Sequence, residues 1–311
     1  MKRFAGGRTI MKLSKILQVC RVEKPARFRL AKHDPAETFG LDIDKEDVKT
    51  MLASEVVRIE RLHQRLYAQD RWSVLIVLQG MDASGKDGVI KHVMSGVNPQ
   101  GCAVHAFKAP SQEELRHDFL WRAAKLLPPS GQIGIFNRSY YEEVLVARVH
   151  PEMLANERLP HGLPGKSLWK HRFKEINAFE RHLVRNGTVV LKFHLRLSKE
   201  EQRQRFMARL DEPAKRWKFS MNDVLERRHW DAYMNAYEDM IRATSTDHAP
   251  WYVVPADHKQ VAWLIVSAAI NEALERLAPQ PPKVTGARLK ELREIEKTLR
   301  AEAPGKAKAT K

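Results

Sequence analysis

Residues 80 to 86 read Gly-Met-Asp-Ala-Ser-Gly-Lys, a GxxxxGK spacing in which two glycines bracket a short loop and a lysine follows at once. Glycines there let the backbone curl so that successive N–H groups converge, and the lysine adds a full charge; the combination is a cradle for phosphate oxygens. Gly80, Ala83, Ser84, Gly85, Lys86, Asp87 and Lys91 are the first candidate phosphate-binding residues. Two of the acids are out of the ordinary. Asp87 stands where such loops usually carry a hydroxyl residue for a metal ion, and Asp82 lies inside the loop. A carboxylate beside bound phosphate is repelled unless a cation or proton intervenes. Asp82 is therefore a candidate metal ligand or base, with an Asx-type turn on the loop amides as its alternative role.

A second polar group follows the run Ile-Gly-Ile-Phe at 133 to 136: Asn137, Arg138 and Ser139, then Tyr141, Glu142 and Glu143. Arg138 could neutralise phosphoryl oxygens, and Glu142 or Glu143 could reach a metal or an acceptor. Against that, Arg138 could simply pair with Glu142 four residues on. A third group, Arg203, Arg209, Lys215 and Lys218, lies in a basic stretch that could close over a transferred group as a lid spanning about 203–225. A solvated helix face is the plainer account of those charges. Trp217, Trp230, Tyr233 and Tyr237 read as packing residues, and Asp223 as a surface helix residue. His117, His150 and His161 have no metal-ligand spacing, and Cys20 and Cys102 form neither a CxxC pair nor a disulfide framework. Any metal would be held by oxygen.

The elements that must position these groups alternate in type. Val48, Leu52, Val56, Ile59, Leu62 and Leu66 recur at helical spacing and predict an amphipathic helix over 45–70. The apolar runs 73–79, 103–107, 132–136, 188–195 and 251–255 predict strands, separated by helical pattern. One such helix is expected to run from a cap at Ser111 through Ser-Gln-Glu-Glu-Leu-Arg-His-Asp-Phe-Leu-Trp-Arg-Ala-Ala-Lys-Leu-Leu. The whole predicts an α/β fold with a parallel sheet wrapped on both faces, in one domain over 41–278. Irregular insertions at 150–168 and 211–219 are expected over the sheet's carboxyl edge, where ligands bind. Residues 1–40 read as a basic arm and 279–311 as a basic tail; the first 32 residues hold ten Lys/Arg and one Glu. Over all 311 residues the formal charge is +16, which favours a polyanionic partner. No apolar run is long enough to span a membrane, and the N-terminus lacks the apolar core of a secretory signal, so a cytoplasmic protein is expected.

Taken in order, GMDASGKDGVIKHV, GVNPQGCAVHAFKAPSQEELRHDFLWR, IGIFNRSYYEEVLVARV, DEPAKRWKFSMND and TSTDHAPWYVVPADHK resemble the second family of polyphosphate kinases, over about residues 20 to 275. The resemblance implies a P-loop three-layer α/β/α fold similar to thymidylate kinase, with a helical lid. It implies Mg²⁺, with Mn²⁺ as a substitute, and phosphoryl transfer between inorganic polyphosphate and a purine nucleotide. It implies that Asp82 and Lys86 belong to the Walker A element and that Asn137 and Arg138 fall in a Walker-B-like element. Arg203, Arg209, Lys215 and Lys218 then lie in or beside the lid. Where this chain has Asn137 many relatives carry Asp, so Glu142 is the candidate to supply the second metal charge beside Asp82. The wording around Asn137 looks most like the branch acting on both AMP and ADP. Homo-oligomers, dimers or tetramers, are expected, and nucleic acid is not an expected partner. Two rivals remain at this point: an ATP-dependent nucleotide or small-molecule kinase, and a basic nucleic-acid-binding protein with a vestigial loop.

Overall fold

Strand β1 (Ser73–Gln79) is buried along its whole length, as a continuous branched apolar run must be when both faces are covered. The computed structural model describes residues 12–41, 46–160, 165, 167–218 and 220–302, and builds the chain around this strand. Ahead of it lie α1 (Leu13–Cys20) and α2 (Glu46–Gln69). After it come α3 (Lys86–Val93), β2 (Cys102–Ala106), α4 (Trp121–Ala124), β3 (Ile133–Asn137), α5 (Glu142–Val149), α6 (Leu168–Arg185) and β4 (Thr188–Arg196). The remainder is α7 (Lys199–Asp211), α8 (Met221–Glu226), α9 (Trp230–Thr244), β5 (Trp251–Pro255), α10 (Lys259–Leu277) and α11 (Gly286–Ala301).

Among the described residues the strands form one five-stranded sheet in the order β2-β3-β1-β4-β5, every pair parallel. Alternation along β1 divides the interior. Val74, Ile76 and Leu78 pack into one core with α1, α2, α3 and α10, while Leu75 and Val77 join the other with α5, α6 and α9. The result is the expected three-layer α/β/α arrangement. Its central strand has neighbours reached by connections on opposite sides, so the carboxyl ends of β1, β3 and β4 open on one crevice.

Three sequence expectations need correction. From Leu13 onward the N-terminal stretch is not a free arm: Ile16, Leu17, Cys20, Phe28 and Leu30 are all buried. Val22 donates its N–H to the Trp251 carbonyl at 2.9 Å, and Leu30 N–H reaches Glu238 at 2.8 Å, so the segment is laced onto β5 and α9. Its lysines and arginines had masked an amphipathic pattern. The long helix expected after Ser111 is broken. Ser111 does cap a turn, accepting from Glu114 N–H, but only a short 3₁₀ turn (Glu114–Arg116) and the brief α4 follow. Asp118, whose carboxylate accepts the Leu120 N–H at 2.9 Å, diverts the chain between them. The C-terminal stretch likewise contains a helix, α11, capped by Thr285 and exposed throughout. Residues 1–11 and 303–311 of the two basic ends lie outside the described residues, as does His161. No helix among the described residues is long and apolar enough to cross a membrane.

Candidate active site

The loop between β1 and α3 carries positive φ at Ala83 (63°) and Gly85 (100°). A left-handed alanine is strained by about 1 to 2 kcal/mol, and such strain persists only where the surroundings enforce it. They do so here: Arg205 donates to the Ala83 carbonyl at 2.9 Å, and Gln202 to the Asp82 carbonyl at 2.9 Å. Gly80 is needed for space. A Cβ on it would stand 2.7 Å from Ser84 Oγ and 2.8 Å from the Leu195 carbonyl oxygen.

Lys86 opens α3 and folds back into the loop, its Nζ donating to the Gly80 carbonyl at 2.8 Å and the Met81 carbonyl at 3.1 Å. Burial, and then the charge of Arg138, pull its pKa down to about 8. Neutral carbonyls are weaker partners for an ammonium than an anionic oxygen would be. Asp87, in the first turn of α3, accepts from the Asn137 amide at 2.8 Å. Asparagine here gives Asp87 a donor; two carboxylates at that separation would repel.

Arg138 stands at the end of β3 with φ 62°, a second left-handed non-glycine residue. It bridges Asp82 (2.5 Å) and Glu142 (3.2 Å). Glu142 and Asp82 hold the guanidinium charged against the effect of its burial, raising its pKa. Arg138 thus makes the pairing with Glu142 across one turn that its spacing allows, and it also lines a cleft beside the loop. That cleft, of about 460 Å³, is bounded by Gly80 and Asp82, by the Phe107–Pro110 loop, by α5 and by α8 and α9. Its size suits a nucleotide.

Farther along the wall, Arg122 donates to Glu143 at 3.1 Å and to the Lys108 carbonyl at 2.9 Å, fixing the loop after β2. Burial pushes the Glu143 carboxyl up to about 7, against the opposing pull of Arg122. At the mouth, His150 joins Glu226 of α8 (3.0 Å) to Glu152 (3.2 Å), and Tyr233 also donates to Glu226 at 2.7 Å. Burial works against a charged His150, but the hydrogen bonds and charges of Glu226 and Glu152 together outweigh it and raise the pKa. His150 is thus a tie between the end of α5 and α8. Asp223, read as a surface residue, caps α8 through Ser220 and also lines the cleft.

The candidate cations divide. Lys86 and Arg138 come together at the loop. Lys91 does not: five residues on, at 100° per residue, α3 turns it well away from Lys86, and it is exposed near the helix's C-terminal end. Arg203 is also on an outer face, paired with Glu200 at 2.6 Å, and Arg209 lies over the Phe206 ring at 5.6 Å. Two residues around the helix from Arg203, Arg205 takes the inward position. Its signal was legible: Gln202, Arg205 and Phe206 follow an i, i+3, i+4 stripe that faces the body. The side chains of Lys215 and Lys218 lie outside the described ones. Trp230, Tyr233 and Tyr237 are buried as expected, whereas Trp217 is 78% exposed in the 3₁₀ segment Pro213–Lys218.

Among the described residues no three His, Cys, Asp or Glu side chains converge as a metal cage. The donors at the loop are two carboxylates, Asp82 and Glu142, shared on Arg138. That set fits a hard ion such as Mg²⁺, which takes one or two carboxylates, keeps waters and finds its other ligands on substrate phosphates.

The chain resembles known proteins over most of its length. The sequence profile of the family described as Polyphosphate kinase 2 matches residues 40–282. An ADP-polyphosphate phosphotransferase of Rhodopseudomonas palustris is 54% identical over 256 residues, 82% of this chain and 89% of that protein. An AMP/ADP-polyphosphate phosphotransferase of Meiothermus ruber is 46% identical over 263 residues, 85% and 94% of the two chains. A crystal structure of Polyphosphate Kinase 2 from Arthrobacter aurescens superposes with a TM-score of 0.82 at 38% identity, covering 94% of this chain and 98% of that one.

Proposed function

This chain belongs to the polyphosphate kinase 2 family, and from that premise we propose that it moves a terminal phosphoryl group between inorganic polyphosphate and AMP or ADP. The observation that carries the reading is the meeting of Lys86 and Arg138 beside a cleft of about 460 Å³. A phosphoryl group in flight spreads its charge over its equatorial oxygens, so catalysis rests on positioning and on cations fixed in advance. Lys86 releases the loop carbonyls to take donor oxygens, and the converging loop amides hold the chain end. Arg138 faces the cleft and neutralises the charge that develops between donor and acceptor. Nucleotide phosphates are largely ionised near neutral pH and need no strong base, so Asp82 serves to orient rather than to abstract. Asp82 and Glu142 would hold Mg²⁺, or Mn²⁺ in its place, which supplies further neutralisation of the phosphates.

The polymer reading draws on the formal charge of +16, since a long polyanion bound along basic surface releases its counterions. Homo-oligomers and a cytoplasmic location belong to the same proposal; a nucleic-acid partner does not. The test is product analysis after incubation with polyphosphate and, separately, AMP, ADP, GMP and GDP, with ATP and candidate acceptors as the parallel arm. ADP or ATP formed from polyphosphate supports the reading. Transfer from ATP to an acceptor, with none from polyphosphate, would sink it.

A further inference from the structure

Behind the first turn of α5 lies an ion pair that the transfer reaction does not touch. Lys192 on β4 and Glu180 on α6 are both fully buried, with Nζ 2.6 Å from Oε2. The remaining ammonium donors go to the Tyr141 hydroxyl (3.0 Å) and the Thr244 carbonyl (2.7 Å). Glu180 Oε1 accepts both tyrosine hydroxyls, Tyr140 at 2.9 Å and Tyr141 at 2.7 Å. The Trp251 indole, donating to Thr244 Oγ1 at 2.9 Å, closes the network on β5. All three lysine donors and both carboxylate oxygens have partners.

A buried pair of this kind is a poor source of stability, because desolvation of both charges offsets their attraction, and an apolar replacement of similar volume often folds as well. Its position suggests another use. Tyr140 and Tyr141 lie between Arg138 and Glu142, the two groups joined beside the loop, and only Ser139 separates them from the left-handed Arg138. Ser139 is held from both sides, accepting from Tyr141 N–H at 3.1 Å and from Gln79 at 3.3 Å. The turn that aims Arg138 is therefore anchored through two phenol hydroxyls to charges fixed in the core.

We propose that Lys192, Glu180, Tyr140 and Tyr141 are positioning residues for phosphoryl transfer, holding the Arg138–Glu142 turn so that the guanidinium faces the cleft. This rests on the functional reading above, in which Arg138 serves the transfer. Tyr141→Phe keeps the ring and removes one hydroxyl; it lowers kcat about ten-fold and leaves KM for the nucleotide unchanged, since sub-ångström misplacement acts on the transition state more than on binding. Lys192→Met combined with Glu180→Leu keeps the interior filled without charge and lowers kcat by about ten- to a hundred-fold in a protein that still unfolds cooperatively.

The deciding measurement is a double-mutant cycle with Arg138→Ala. If the network acts through Arg138, Tyr141→Phe and the apolar pair cost nothing further in kcat once Arg138 is absent. A merely structural network would give the same fractional loss in both backgrounds, and that result, or full kcat in Tyr141→Phe and in the apolar pair, overturns the inference. Normal turnover in Arg138→Ala alone refutes the role given to Arg138, and this inference with it. A severe defect in Arg138→Ala beside full activity in the network variants refutes only the inference.

Discussion

Replacing Lys86 by methionine is expected to abolish transfer and at the same time remove a pH-dependent contribution to stability. The ammonium is buried on loop carbonyls, and burial, reinforced by Arg138, brings its pKa from 10.5 to about 8. That fall corresponds to about 3 kcal/mol against the charged form in the folded state. Because the folded pKa lies below the unfolded one, the unfolded chain holds a proton between pH 8 and 10.5 that the folded chain has shed. Stability from this group therefore rises with pH through that window, and the opposing contribution is fully present below pH 8. Methionine has no such dependence. The unfolding free energy of the parent protein minus that of Lys86→Met should shift by about 2 kcal/mol in the parent's favour between pH 7 and 9.5. Urea titrations followed by tryptophan fluorescence, extrapolated linearly at both pH values, measure the difference. An unchanged difference would refute the idea that Lys86 waits in the loop as a desolvated charge.

Gly80→Ala should lower stability by about 1 to 3 kcal/mol and strip activity, since the new methyl meets Ser84 Oγ and a backbone oxygen of β4 that has little room to move; urea unfolding and turnover check both. Arg205→Gln frees the carbonyls of Ala83, Ala256 and Asp257 and should raise KM for polyphosphate about ten-fold with smaller change in KM for the nucleotide. Equal change in both constants would argue that Arg205 supports the whole domain rather than the loop. Reversing the charge at Lys215 and Lys218 should weaken long polyphosphate more than the nucleotide, and a loss that is independent of ionic strength would count against a polymer track.

The strands were legible because buried parallel strands write themselves as apolar runs: the segments 73–79 and 251–255 match β1 and β5 end for end. The loop was legible because its glycines and lysine are spaced by backbone geometry alone. What lay hidden depends on partners far away in sequence. Nothing near Lys192 announces that a lysine inside an apolar strand will meet Glu180 and two tyrosines. The tie of His150 to Glu226 joins residues 76 positions apart. Arg203 and Arg205 differ only in helical phase, which the stripe of Gln202, Arg205 and Phe206 carries but the net charge that drew attention to their stretch does not. The basic N-terminus misled for the opposite reason, since its ten cations concealed Ile16, Leu17 and Cys20 on a single face of α1.

That packed N-terminal segment bears on where this protein can be cut. The family match begins at residue 40, yet Ile16, Leu17, Phe28 and Leu30 lie inside the two cores, and Val22 is bonded to the β5 backbone. A chain trimmed at residue 40 would leave β5, α9 and α10 with uncovered apolar surface, the kind that drives aggregation. The unit that folds therefore starts ahead of the family boundary at residue 40, in the segment from Leu13 to Leu30 that seals both faces of the sheet.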